Sequence, residues 1–275
     1  MCVPRHRFFG KKRLRMTDEE IAMQATENQL VEPTYSQWDE AKLMQFSPNE
    51  FMQKLYHRAK NIGDDLYDDR GYEFITLELE AYKSALVLYM RRRAWSEWYF
   101  GTVAQAREIT LLPENQVNLK LRLARQIQDE MRHYDVFAQQ LRRYGAEPRI
   151  SEFELPPILI QMQKVQVEAL TAAEIAAANQ FAGEIVLSSM TDLETSIFKR
   201  LFDKELMDAI YDIEKDEPPH IANGRDLILL ECETFEQRKR LAGAQEKYLG
   251  YMMQLHVTEI IKLGCKRIKP LPVFE

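Results

Sequence analysis

Glu97 and Glu130 lie 33 residues apart, and so do Glu184 and Glu217. The second member of each pair opens the same short pattern: Asp129-Glu130-Met131-Arg132-His133 and Asp216-Glu217-Pro218-Pro219-His220. On a helix, positions i and i+3 share a face, so the carboxylate and imidazole of each pattern project together. Two antiparallel helices reach equal depth when the turn lies midway between the positions compared. The midpoint of the first pair falls on Pro113-Glu114, inside Leu111-Leu112-Pro113-Glu114-Asn115, which reads as a turn. That of the second falls near Lys199 to Asp203, where a new helix is expected. Each arm is then about sixteen residues, ~24 Å of helix. The 51 residues from His133 to Glu184 are long enough for a crossover. An antiparallel helix bundle is the fold that brings these positions to one height.

The rest of the chain fits a helical reading. Ser47-Pro48 is a helix start, with a capping hydroxyl and a proline at the first helical position. That helix should run to about Tyr67. From Tyr72 to about Thr110 no proline occurs, and apolar residues recur at helical spacing. The next helix spans about Glu114 to Tyr144 and stops at Gly145. A connector over 146–157 precedes a helix to about Thr191, with alanine-rich 172–178 inside it suggesting close helix contact. Asp192 or Asp203 caps the next helix. That helix covers about Lys204 to Glu231, interrupted by Pro218-Pro219, and a last one about Thr234 to Leu263. No strand and no domain linker is evident. The expectation is an all-α chain: a four-helix bundle with additional N- and C-terminal helices over 34–275, preceded by an arm over 1–33.

Composition sets limits. The 275 residues carry a net charge of −6, which gives no general pull toward nucleic acid or an anionic membrane. Only the first fifteen residues are strongly basic, with Arg5, Arg7, Lys11, Lys12, Arg13 and Arg15 and no acid. They lack the apolar core of a secretory signal and read as a disordered tail rather than a tether. Met16-Thr17-Asp18-Glu19-Glu20 also reads as an ordinary beginning. Three cysteines, Cys2, Cys232 and Cys265, form no C-x-x-C pair and suit a reducing, cytoplasmic setting. No apolar run approaches the ~18–20 residues of a membrane span.

The chemistry rests on Glu97, Glu130, His133, Glu184, Glu217 and His220. One E-x-x-H is weak evidence, since a surface pair gives the same pattern. Two, each with an aspartate before the glutamate and each 33 residues after another glutamate, are not dismissed so easily. A di-metal site in a bundle takes one Glu from each of two helices and an E-x-x-H from each of the others. Glu184 sits in the apolar run Phe181 to Leu187, where an unpaired carboxylate is costly. Glu97 lies among Trp95, Trp98, Tyr99 and Phe100, and Glu78 and Glu80 fit the interval less well. Asp129 and Asp216 are placed to accept hydrogen bonds from the outer nitrogens of ligand histidines. Pro218-Pro219 inside a helix would kink it or bulge it into a π turn around His220. His57 and His256 have no carboxylate at that spacing and read as ordinary surface or core residues. Arg91-Arg92-Arg93 reads as a solvated charge run, with an anion-binding role as the alternative. No G-x-S-x-G, phosphate loop or dinucleotide fingerprint occurs.

With two halves of the form Glu…Asp-Glu-x-x-His, the chain resembles the ferritin-like di-iron carboxylate superfamily over about Tyr72 to Glu231. Within it, Gln126 to His133 with Ser96-Glu97 upstream is similar to the catalytic subunit of phenylacetyl-CoA epoxygenase. The resemblance implies two iron ions (an Mn/Fe pair would use the same ligands) and O2 as co-substrate. It implies an oxygenase or oxidase that hydroxylates, epoxidises or N-oxygenates a small organic substrate, with an electron-donor protein as partner and a homodimer as a compatible assembly. A ferroxidase or iron-storage protein and a non-catalytic helical scaffold subunit are the alternatives. For an oxygenase, Trp98, Phe100, Gly101, Ala177, Gln180, Phe181 and Leu187 are expected to line a cavity that reaches the metals. An enclosed apolar cavity favours the oxygenase, and a polar channel the storage protein.

Overall fold

The computed structural model describes residues 39–74, 77–149, 155–190, 193–194, 197, 203–270 and 272. The basic segment, the rest of the arm over 1–33, Cys2, Asp192 and most of the stretch around the second midpoint lie outside these residues.

Helix α1 (Glu40–Met44) starts at Asp39, whose side chain accepts from the Ala41 N–H. Helix α2 (Pro48–Leu66) begins as expected, and Ser47 and Glu50 form a reciprocal capping box. Such a cap contributes about 1 kcal/mol. Its buried face carries Phe51, Leu55, Ala59, Ile62 and Leu66, the i, i+4, i+8 pattern of one helix face. Each large apolar side chain so buried contributes roughly 1.5–3 kcal/mol.

The bundle proper has four walls. The first is α3 (Leu79–Ser96), a π-helical segment (Glu97–Val103) and α4 (Ala104–Leu111) in one run. The second is α5 (Val117–Arg143), which returns after the turn at Leu112–Gln116, where the first midpoint falls. It ends at Gly145, whose φ of 76° suits a residue without a side chain. The third is α7 (Ala172–Ala178), a second π-helical segment (Asn179–Glu184) and α8 (Ile185–Ser188). The fourth is α10 (Glu217–Leu230), preceded by α9 (Lys204–Glu214). The first wall packs on α5, α4 on α7, and α10 on α7, the second π segment and α5. Around them lie α2, α6 (Pro157–Val167) and α11 (Phe235–Lys262), and α11 packs along α7, the second π segment and α6. Ala172, Ala173, Ala176, Ala177 and Ala178 are all buried, so the alanine-rich stretch is where helices close up.

Three expectations need correction. The helix expected over 157–191 breaks at Glu168–Thr171, and Thr171 caps the new start through the Glu174 N–H. The helix expected over 204–231 is two helices. Asp203 caps the first, and Pro218-Pro219 lies in the first turn of the second. Prolines there sacrifice no hydrogen bond, because first-turn N–H groups have no partner within the helix. His220 therefore stands on neither a kink nor a π turn. Two short strands also occur, β1 (Tyr72–Phe74) and β2 (Cys265–Arg267), antiparallel with Tyr72 opposite Arg267. Three residues are too few to show a strand period.

The fold is all-α apart from this ribbon. Among the described residues no helix is long and apolar enough to cross a membrane. Cys232 and Cys265 are buried.

Candidate metal centre

The four walls bring all six sequence-derived residues together. Glu97, Glu130 and His133 form one group with ligand atoms within 4.8 Å of one another, and Glu130, Glu184 and His220 form a second. All five are buried. Glu130 belongs to both groups and divides its oxygens between them. Its Oε2 lies 3.4 Å from His133 Nδ1 and its Oε1 3.4 Å from His220 Nδ1. Glu97 Oε2 is 3.7 Å from His133 Nδ1, and Glu184 Oε1 is 3.9 Å from His220 Nδ1. Glu217 is less buried and borders the second group, with Oε2 3.7 Å from His220 Nδ1. The imidazole centroids are 6.0 Å apart.

Local structure explains these positions. Both glutamates outside the Glu-x-x-His patterns sit on π-helical segments: Glu97 opens the first and Glu184 closes the second. A π turn widens the helix and turns side chains that an α-helix would separate toward one side. Gly101 lets Glu130 in. A Cβ there would lie 2.7 Å from the Glu130 Cδ. Gly224 does the same for the approach of α10, since a Cβ on it would lie 2.5 Å from the Gln180 Cβ.

Each histidine is held from outside. His133 Nε2 is 3.1 Å from Asp216 Oδ2, and His220 Nε2 is 3.4 Å from Asp129 Oδ2. Each motif's aspartate thus serves the histidine of the other motif. Arg132 bonds Asp216 and, at 2.8 Å, Asp212. An imidazole donating from Nε2 carries its lone pair on Nδ1, which faces the glutamates.

The carboxylates have partners that the sequence reading missed. Arg93 reaches Glu97 Oε1 at 3.4 Å and Glu194 Oε1 at 3.5 Å. Gln126 donates to Glu184 Oε1 at 2.9 Å and accepts from Asn223 at 3.0 Å. Position i−4 from Glu97 and from Glu130 was the available signal, because it shares the ligand's helix face. Of the three arginines 91–93, Arg92 and Arg93 are buried, which corrects the solvated reading. Glu108 on α4 is another buried carboxyl. It accepts from Gln180 Nε2 at 3.1 Å, and burial pushes it up to about 8.

The electrostatics describe a site short of cations. Burial raises Glu130 to about 7, with Glu97 adding to it against the histidines. Glu184 is raised well above the carboxylate range by burial and by Glu217 and Glu130. Burial alone would lower His133, but Glu130 and Glu97 outweigh it and hold it at about 11. Burial would raise Glu97, but His133 and Arg93 hold it down at about 2.

The residues fit a pair of divalent ions. His133 Nδ1, His220 Nδ1, Glu184 Oε2 and Glu217 Oε2 are buried without a hydrogen-bond partner, and all belong to this cluster. Orphaned buried atoms are costly and rare. Four carboxylates and two neutral imidazoles would balance two divalent charges, and such oxygen and imidazole donors suit iron or manganese.

A cavity of about 720 Å³, counting space open to solvent, adjoins this cluster. Glu97, Glu130, Glu184 and Glu217 reach it, and Phe100, Met162, Leu187, Met252 and Leu255 form its apolar walls. Phe100, Gly101 and Leu187 line it as expected, whereas Trp98, Ala177, Gln180 and Phe181 do not. Trp98 packs on Tyr134 instead. The spacing i±4 holds for an α-helix, but a π turn pairs i with i+5. Asn179, five residues before Glu184, therefore takes the place expected for Gln180. His57 is exposed and His256 is a core residue, bonded to the Tyr72 hydroxyl at 2.6 Å.

No protein-family model matches the chain, and no curated protein matches it. Among solved structures it is similar to a TenA homolog from Pseudomonas syringae pv. tomato. The TM-score is 0.60 over 84% of this chain and 99% of that one, at 15% identity. The likeness shows the helical fold alone.

Proposed function

We propose that the protein is an O2-activating oxygenase or oxidase of the di-iron carboxylate kind, acting on a small organic substrate. The observation that carries this reading is the cavity. Apolar side chains wall it, and four glutamates of the proposed ligand set open into it. Glu97, Glu130 and His133 would hold one ion, and Glu130, Glu184, Glu217 and His220 the other. Bound iron would supply the reducing electrons and open coordination positions that O2 chemistry needs.

The chain's own groups prepare the site. Asp216 and Asp129 hold the imidazoles so that Nδ1 faces inward. Arg93 fixes one oxygen of Glu97, and Gln126 one oxygen of Glu184. The other oxygen of each is left for an ion. The apolar walls offer a substrate contact beside the ligand glutamates. No flavin or dinucleotide motif occurs in the sequence, so repeated turnover would draw electrons from a separate donor protein or from the substrate.

The test is metal analysis of protein produced with iron, followed by O2 uptake of the ferrous form with and without small organic compounds. About two irons per chain, and uptake accelerated by particular compounds, are expected. A chain that takes up no metal, or one that only deposits ferric mineral whatever compound is added, would overturn the reading.

A further inference from the structure

Glu108, Gln105 and Gln180 make a second buried polar cluster, on a side of the centre that the cavity does not reach. All three are fully buried, and none lines the cavity. Gln105 and Glu108 share a face of α4 at i, i+3. Gln180, on the second π segment, donates to Glu108 Oε2 at 3.1 Å. The other polar atoms are unmet. Glu108 Oε1, Gln180 Oε1 and both ends of the Gln105 amide are buried without a hydrogen-bond partner. Orphaned buried atoms are costly, and a buried water with several polar partners is the usual remedy.

The cluster spans the distance from the ligands to the end of the first helix pair. Gln105 lies four residues beyond Gly101, where a Cβ would touch Glu130, and Gln180 lies four before Glu184. Each is thus about one turn, ~6 Å, along its helix from the centre. Glu108 lies one turn before α4 ends at the exposed Leu111. Burial, with the charge of Glu130 added, pushes Glu108 up to about 8, so its carboxyl carries a proton at neutral pH.

We propose that Glu108, Gln105 and Gln180 enclose ordered water and form the proton entrance of the metal centre, with Glu108 as the acid that hands protons inward. The inference rests on reading the centre as an O2-activating site. Placing one atom of O2 in a C–H bond and reducing the other to water takes up a proton for each electron that the donor protein supplies. The O–H bond of the Glu108 carboxyl breaks, and its proton passes through water toward the ligands. The carboxylate then takes another proton from the solvent end of α4. Substrate and protons reach the centre from separate sides.

The experiment is infrared difference spectroscopy of the full chain against Glu108→Gln at neutral pH, metal-free and iron-loaded, with iron content measured alongside. The parent should show a carboxylic C=O band that the variant lacks, in both forms. On transfer to D2O that band should shift within seconds, and Gln105→Leu should keep the band but slow the shift severalfold. Loaded Glu108→Gln should hold both irons, yet its ferrous form should react with O2 about a hundredfold more slowly, the size of a lost positioned acid. Glu108→Asp should restore part of that rate. Circular dichroism reports whether each variant folds. If Glu108→Gln does not, Glu108→Asp, which should move the band, takes its place. Two irons with no Glu108 band, with a band that stays unshifted for hours, or with an unchanged O2 rate in Glu108→Gln would overturn this inference alone. A chain that takes up no iron would sink the metal reading and this inference with it.

Discussion

Asp216 supports His133, the histidine of the other half, across an Oδ2–Nε2 distance of 3.1 Å. Asp129 returns the arrangement to His220 at 3.4 Å. The two halves are thereby tied to each other outside the ligand set. Asp216→Asn should weaken metal binding at the Glu97–Glu130–His133 group, and Asp129→Asn at the group of His220. A loss of about 10–100-fold is expected for such outer partners. Chelator competition, with spectra that separate the two sites, checks both the size and the crossed assignment. A loss confined to each aspartate's own motif would contradict it.

Glu130 and Glu217 should behave differently although they hold equivalent places in the sequence. Glu130 faces both histidines, whereas Glu217 faces His220. Glu130→Ala should therefore cost both ions and Glu217→Ala at most one. Metal-to-protein ratios after gel filtration give the answer.

Gly101 and Gly183 both line the cavity, and only one has room for a methyl group. A Cβ on Gly101 meets Glu130 at 2.7 Å, while one on Gly183 meets the Tyr248 ring at an ordinary 3.5 Å. Gly101→Ala should displace Glu130 and lower metal content. Gly183→Ala should keep both ions and only narrow the cavity. Metal analysis of the two proteins in parallel separates these outcomes.

Glu108 gives a pH signature apart from the ligand set. Burial raises it from 4.5 to about 8, so the folded chain prefers it protonated. The unfolded chain ionises it near 4.5, and folding therefore loses stability as pH rises from there toward 8. Below 4.5 the group is protonated in both states and contributes nothing. Glu108→Gln keeps an acceptor for Gln180 and removes the titration. It should be more stable than the parent at about pH 8–9, by on the order of a few kcal/mol, and equal to it at about pH 4. Thermal melts across that range test the sign. A variant less stable at high pH would contradict it.

The six candidate ligands were legible because helix periodicity turns sequence spacing into height and face. The i, i+3 pairs and the first 33-residue interval survive translation into three dimensions, whereas the second interval crosses the break between α9 and α10. Features that break the period stayed hidden. Pro218-Pro219 signals a helix start as readily as a kink, and only the end of α9 at Glu214 decides between them. The π segments lack any composition cue, so Asn179 was passed over for Gln180. Arg93 pairs with Glu194, and Arg92 and Arg93 line a cavity shared with α11, both far along the chain, whereas three consecutive arginines look solvated from within their own helix. The partners of β1 and β2 are likewise set by contacts between distant parts of the chain.

The two π segments make chain length part of the centre. Each holds one residue more than the α turns it replaces. Losing a single residue between 97 and 103 would let an unbroken α-helix form, closing the widened turn while the α turns on either side keep their faces. Helix content, composition and the apolar core would hardly change, yet Glu97 would leave the group. At these two places a one-residue deletion should do more harm than most substitutions.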